Sequence, residues 1–203
     1  MTLSQLDLRL FAHINAAAGL TGWRLESAVA IAQALVYLVP VVLIALWFAG
    51  STPRRLAAVT ALTAAGGALL VNQLIALAWY RPRPFAAGIG HAFLRHAADS
   101  SFPSDHVTVL AATGFALWSA RSALGRAPGA VLLACALAAG WARVYLGVHY
   151  PGDVIGALAV AALAQASTNS PAGRSFCISL TATGERIYRR MLALPIARGW
   201  IRA

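Results

Sequence analysis

Lysine is absent from the 203-residue sequence and only six side chains are acidic, so charged residues make up just 11% of the chain. An ordinary soluble domain is roughly a quarter charged, and that class is excluded. The acids are also scattered. Asp99, Asp105 and Asp153 stand apart, with no carboxylate cluster of the kind that binds magnesium. Cysteine is nearly absent too: Cys135 and Cys177 are too few for a disulfide framework, have no metal-site spacing with the histidines, and read as small packing residues. No metal and no organic cofactor is expected. The start of the chain, MTLSQLDLRLF, lacks a basic stretch followed by an apolar one, so no cleavable signal peptide is expected.

What remains is apolar residues and arginine. The chain is 60% hydrophobic and carries a formal charge of +10. In a soluble protein this charge would suggest nucleic acid. In a chain with several apolar runs near 20 residues it fits orientation in a membrane instead, and nucleic acid is not an expected partner. The fold class is all-α, a polytopic membrane bundle of five to six transmembrane helices. Spans are predicted over 28–48, 56–79, 104–120, 130–145 and 151–166. Residues 1–27 are expected to form an interfacial N-terminal segment, 28–168 the transmembrane core and 169–203 a basic amphipathic tail, all in one domain. The tail either lies on the membrane surface or supplies an irregular sixth span. Arginines at 54–55, at 121 and 126, and in the tail would share one side, which makes that side cytoplasmic and turns residues 81–103 and 142–152 outward.

The unusual polar chemistry falls in three outward segments: WYRPRPF (79–85), SFPSDHVT (101–108) and ARVYLGVHYPGD (142–153). Pro103 and Pro151 sit where spans begin, as suits the first turn of a helix. Helix N-termini offer free N–H groups to phosphate. Arg83 and Arg143 provide forked permanent donors, Ser104 a hydroxyl, and His106, His149 and Asp153 the groups for proton handling and attack. This inventory fits phosphoryl transfer to an imidazole: a carboxylate orients it, arginines hold the developing charge, and a second imidazole serves the departing oxygen. Arg9, Arg24 and Arg95 read as snorkelling anchors, and His13, His91 and His96 as interfacial residues. Asp105 suits a first-turn charge and a site role equally well.

These segments resemble the three-part signature of the type 2 phosphatidic acid phosphatase family. Its first part, Lys, six residues, Arg-Pro, is matched at Arg83-Pro84. Its second, Pro-Ser-Gly-His, is matched by Pro103, Ser104 and His106. The third, Ser-Arg, five residues, His, three residues, Asp, is matched by Arg143, His149 and Asp153. The resemblance implies that His149 is the nucleophile, Asp153 its orienting carboxylate and His106 the general acid. Arg83, Ser104 and Arg143 would hold phosphoryl oxygens. The sequence departs from the pattern at Ala76 in place of lysine, Ala142 in place of serine and Asp105 in place of glycine. Arg81, two residues from Arg83 in an extended Arg-Pro-Arg-Pro stretch, is the candidate to supply the missing positive charge to the substrate. The runs NQLIALAWYRPRPF (72–85) and SFPSDHVT (101–108) are similar to the bacitracin-resistance branch, the bacterial undecaprenyl-diphosphate phosphatases. That likeness implies a metal-independent enzyme of the bacterial inner membrane that recycles a cell-wall lipid carrier. Phosphatidylglycerol phosphate, phosphatidic acid and lipid A are alternative substrates. An anionic-lipid binder or transporter is the non-enzymatic alternative.

Overall fold

The computed structural model describes residues 1–120 and 126–200, and throughout them the ordered elements are helical. The turn expected around Arg121 and the end of the tail at Arg202 lie outside the described residues. Helix α1 (Leu3–Ile14) opens with a capping box in which Thr2 and Gln5 satisfy each other's backbone N–H groups. It buries Phe11 and leaves Leu3, Leu6, Leu8 and Leu10 exposed. That is an amphipathic helix at a surface, as the mixed sequence predicts.

Helices α2 (Gly22–Ala34) and α3 (Leu38–Phe48) run on through a 3-10 turn at Leu35–Tyr37. The turn falls where Pro40, lacking an N–H, cannot bond the carbonyl of Val36. Together they form a 27-residue apolar helix that begins at Gly22, ahead of the span expected from residue 28. Helix α4 (Thr52–Ala78) is 27 residues long, roughly 40 Å. Its inner stripe is Ala57, Ala58, Ala61, Ala64, Ala65 and Ala68, all buried, while Leu62, Leu70, Leu74 and Leu77 face out. Small residues let neighbouring backbones approach where water supplies no driving force between helices.

Helix α5 (Asp105–Ser119) is the central element, packed against α4, α6 (Ala127–Tyr145) and α7 (Pro151–Asn169). It has only 15 residues, roughly 22 Å. Its crossing with α6 is tight at Gly129, where an added Cβ would meet the backbone of Trp118 at 2.3 Å. Pro151 takes the first-turn position of α7 as expected, but α5 begins at Asp105 with Ser104 as its N-cap. Pro103 therefore stands before the helix. Among the described residues three helical stretches, Gly22–Phe48, Thr52–Ala78 and Ala127–Tyr145, are long and apolar enough to cross a membrane. With α5 buried among them and α7 packed against α4, α5 and α6, the chain is a multi-pass membrane protein.

Helix α8 (Pro171–Met191), which makes up most of the tail, is placed by its contacts. Its Gly173 abuts the end of α7, Gly184 abuts Trp47 at the end of α3, and Glu185 pairs with Arg55 at the start of α4. The helix therefore crosses one end of the bundle instead of threading it. Cys177, Thr181, Glu185 and Tyr188 form its buried face. The short α9 (Ala193–Ala197) follows.

Candidate active site

The loop from Trp79 to Ser104 and the loop between α6 and α7 meet at the end of the bundle opposite α8. Gly147 makes the turn after α6: its φ of 79° places it in the left-handed region, and a Cβ there would sit 2.1 Å from the carbonyl oxygen of His91. The chain then delivers His149, buried to 1% exposure, just ahead of α7, and Asp153 in that helix's first turn.

The tautomer of His149 follows from its neighbours. Arg83 Nη1 lies 3.1 Å from His149 Nε2, and a guanidinium can only donate, so Nε2 is the unprotonated nitrogen. The proton is on Nδ1, which faces the Ser101 carbonyl at 2.8 Å and Asp153 Oδ2 at 3.3 Å. Asp153 Oδ2 also accepts from the Tyr150 backbone N–H at 2.8 Å. Burial, then the charges of Arg143 and Arg83, push His149 well below the usual histidine value. The ring is neutral, with its lone pair toward the arginines.

Beside it is a cavity of about 290 Å³ whose walls include Arg83, Arg143, His106, His96 and Asp105. Arg83 is fixed by Asp99 Oδ1 at 2.8 Å and by the carbonyls of Val148 and Ser100 at 3.0 and 3.3 Å. Arg143, in the last turn of α6, donates to Ala32 O at 3.3 Å and from Nη2 to His96 Nε2 at 3.0 Å, and its buried Nε has no partner. Ser104, between the wall residues Pro103 and Asp105, is fully buried with its Oγ unpartnered. A tetrahedral anion would satisfy donors of this kind.

The structure thus brings together Arg83, Arg143, Ser104, His106, His149 and Asp153 from separated segments. It treats Arg81 differently. The expectation that Arg81 and Arg83 reach one ligand fails because carboxylates on the other side capture the Arg81 guanidinium: Nη1 binds Asp153 Oδ1 at 2.7 Å and Nη2 binds Asp7. Arg81 borders a separate apolar groove with Leu6, Trp79 and Ile155. Ala76, at the place of the absent lysine, does line the cavity. Nearby Asp105 is tied to α4 by Asn72 Nδ2 at 2.7 Å and Gln73 Nε2 at 3.3 Å, which places it on the site wall.

His96 corrects the sequence reading. It is not a loose interfacial residue but a wall of the cavity, pinned to Arg143, with its ring 6.4 Å from that of His149. Burial, and then the Arg83 charge, lower its pKa. The only local signal was the three-residue spacing to Asp99, which says nothing about where a loop folds. Among the described residues no three His, Cys, Asp or Glu side chains converge as a metal cage.

The sequence profile of the PAP2 superfamily matches residues 56–170, which contain every one of these motif positions. The Escherichia coli protein YbjG, provisionally named an undecaprenyl-diphosphatase, is 35% identical over 98% of this chain and 99% of its own length. Undecaprenyl-diphosphatase BcrC of Bacillus subtilis is 38% identical over 59% of this chain and 60% of its own. The crystal structure of Aquifex aeolicus LpxE superposes with a TM-score of 0.67, covering 83% of this chain and 98% of that one at 20% identity, which speaks to the fold. A profile spanning more than half of the sequence and a relative aligned end to end agree with the residues that meet at the cavity: the chain belongs to the PAP2 superfamily, as a multi-pass membrane lipid phosphatase.

Proposed function

We propose that the protein hydrolyses undecaprenyl diphosphate to undecaprenyl phosphate through a phosphohistidine. The observation that carries the chemistry is the neutral His149 whose Nε2 lone pair faces Arg83, with its Nδ1–H held by Ser101 O and Asp153. In this reading Nε2 attacks the terminal phosphorus as the bond to the bridging oxygen breaks. Arg83, Arg143 and Ser104 take the equatorial oxygens, and His106 gives a proton to the departing lipid phosphate. The same imidazole then accepts a proton from water, which attacks the phosphohistidine and releases inorganic phosphate. No step calls for a metal ion.

The choice of lipid rests on the names of the two relatives. The choice of face rests on charge: Arg54, Arg55, Arg186, Arg189 and Arg190 gather at the end opposite the site, which favours a cytoplasmic placement for that end and a periplasmic one for the cavity. A cysteine placed at Gly88, in a chain without Cys135 and Cys177, should react with an impermeant thiol reagent in intact cells whose outer membrane has been permeabilised.

The deciding experiment is phosphate release by purified protein from undecaprenyl diphosphate, phosphatidylglycerol phosphate, phosphatidic acid and lipid A, each with and without EDTA. Undecaprenyl diphosphate should give the highest kcat/KM, EDTA should leave it unchanged, and His149→Ala should abolish turnover. Turnover by His149→Ala, or activity restored only by added metal, would overturn this mechanism. A preference for another lipid would change the substrate alone.

A further inference from the structure

We infer that Arg81 and Asp7 form a charge-balancing support behind the nucleophile, Arg81 fixing both acceptors of the His149 proton and Asp7 keeping that support net negative. The inference rests on His149 being the nucleophile. Arg81 acts through its main chain and its side chain at once. Its carbonyl accepts the Ser101 N–H at 2.8 Å, and Ser101 in turn offers its own carbonyl to His149 Nδ1 at 2.8 Å. Its guanidinium binds Asp153 Oδ1 at 2.7 Å, and the other oxygen of that carboxylate lies 3.3 Å from the same Nδ1.

The guanidinium is itself held on its far side. It lies over the Tyr150 ring, 4.2 Å from the centroid, and pairs with Asp7 from α1. Asp7 Oδ1 also accepts the Gly152 N–H at 2.7 Å in the first turn of α7. The fit leaves no room for a side chain there: a Cβ on Gly152 would come within 3.0 Å of Asp7 Oδ2.

The charges explain why a second carboxylate is needed. When the bond from Nε2 to phosphorus forms, the imidazole becomes cationic, while Arg83 and Arg143 already stand on its open side. An Arg81–Asp153 pair alone would be neutral and would do little to stabilise that cation. Asp7 leaves two carboxylates against one guanidinium, so one net negative charge lies behind the ring. Side-chain exposure is 12% for Asp7, 20% for Arg81 and 0% for Asp153, so solvent screens this cluster only in part. Asp7 and Arg81 are positioning residues. Neither touches the cavity.

The test is a double-mutant cycle on the full chain in detergent, read as kcat and KM for undecaprenyl diphosphate and normalised to the folded fraction. Asp7→Asn keeps the shape and removes the charge; kcat should fall about 10- to 100-fold with KM within about 3-fold. Arg81→Gln removes the opposing charge while its amide can still donate to Asp153. Combined, Asp7→Asn/Arg81→Gln should turn over at least as fast as Asp7→Asn alone, because Asp153 again supplies one uncompensated charge. Asp7→Glu should retain most of the rate. In single-turnover experiments Asp7→Asn should slow formation of the acid-labile, base-stable phosphoenzyme. Wild-type kcat in Asp7→Asn, a loss confined to KM, or losses that simply multiply in the double variant would overturn the inference. Activity in His149→Ala would instead remove the reading on which it rests.

Discussion

Each end of the bundle buries an arginine almost completely, Arg143 at the cavity and Arg55 under α8, with exposures of 2% and 1%. Arg55 is enclosed by fixed partners: Glu185 Oε1 at 3.5 Å, the Trp47 carbonyl at 3.1 Å, and the faces of Trp47 and Tyr188. Arg143 meets a backbone carbonyl and the neutral ring of His96, and keeps an unpartnered Nε. Burial is the same at both ends, so burial does not separate structure from function. The partners do. For this pair, the Glu185 carboxylate braces Arg55, whereas the neutral acceptors of Arg143 can be exchanged for an incoming phosphate. Arg83, paired with the exposed Asp99, stands between the two cases.

That contrast is sharpest if the two ends are broken one at a time. His106→Ala should lower kcat about 10²- to 10⁴-fold, and Arg143→Leu about 10²- to 10³-fold, in steady-state phosphate release. Neither should lower the melting temperature in detergent, since His106 is only partly buried and Arg143 carries a buried Nε with no partner. At the other end Arg55→Leu should cost stability, up to about 3–5 kcal/mol, because Glu185 is left with only the exposed Arg189, 3.5 Å away, as counter-charge. The molecules that remain folded should keep near wild-type kcat. Arg55→Leu/Glu185→Leu should recover much of the loss. If Arg55→Leu instead lowered kcat with stability intact, the division between brace and site would collapse.

A smaller effect separates the ends by pH. The folded pKa of His149 is depressed, so on acidification the unfolded chain takes up a proton near pH 6.5 that the folded chain refuses. Stability contributed by the neutral ring is present above that pH and declines below it. The slope approaches about 1.4 kcal/mol per pH unit for one proton. His149→Gln should remove about one proton's worth of slope between pH 6 and pH 5 in denaturation experiments, whereas Arg55→Leu should leave the slope unchanged. Least of all, Arg95→Ala, exposed in the loop beside the cavity, should change kcat/KM by less than about 2-fold.

The brace and the site were legible in the sequence to different degrees. Arg83, Arg143, His106, His149 and Asp153 could be picked out because each sits at a fixed spacing beside a helix end, and local spacing survives folding. The alanine stripe of α4 was hidden in a run that looked uniformly apolar. Arg81 was misdirected by a sound local argument: alternating prolines do extend the backbone, but the side chain goes to its counter-charge, and Asp7 is 74 positions away. His96 and the Ser101 carbonyl illustrate two further blind spots. A loop residue carries no periodicity to reveal its direction, and a main-chain oxygen carries no letter at all. The contact between Arg55 and Glu185 likewise joins the start of one helix to a tail that composition could place either on the membrane or through it.

The unequal lengths of α4 and α5 have a consequence for how a lipid meets this protein. The cavity is walled by Asn72, Gln73 and Ala76 of α4, so it lies roughly 3–9 Å short of that helix's end at Ala78. Short α5 forms the floor. A headgroup therefore sinks slightly to be cut, and its hydrocarbon tail stays among its neighbours. Pulling a chain out of a leaflet costs about 0.8 kcal/mol for every methylene exposed to water, a toll that would grow with each added isoprene unit. On the proposed polyprenyl diphosphate, a recessed floor would keep that toll small as the tail lengthens.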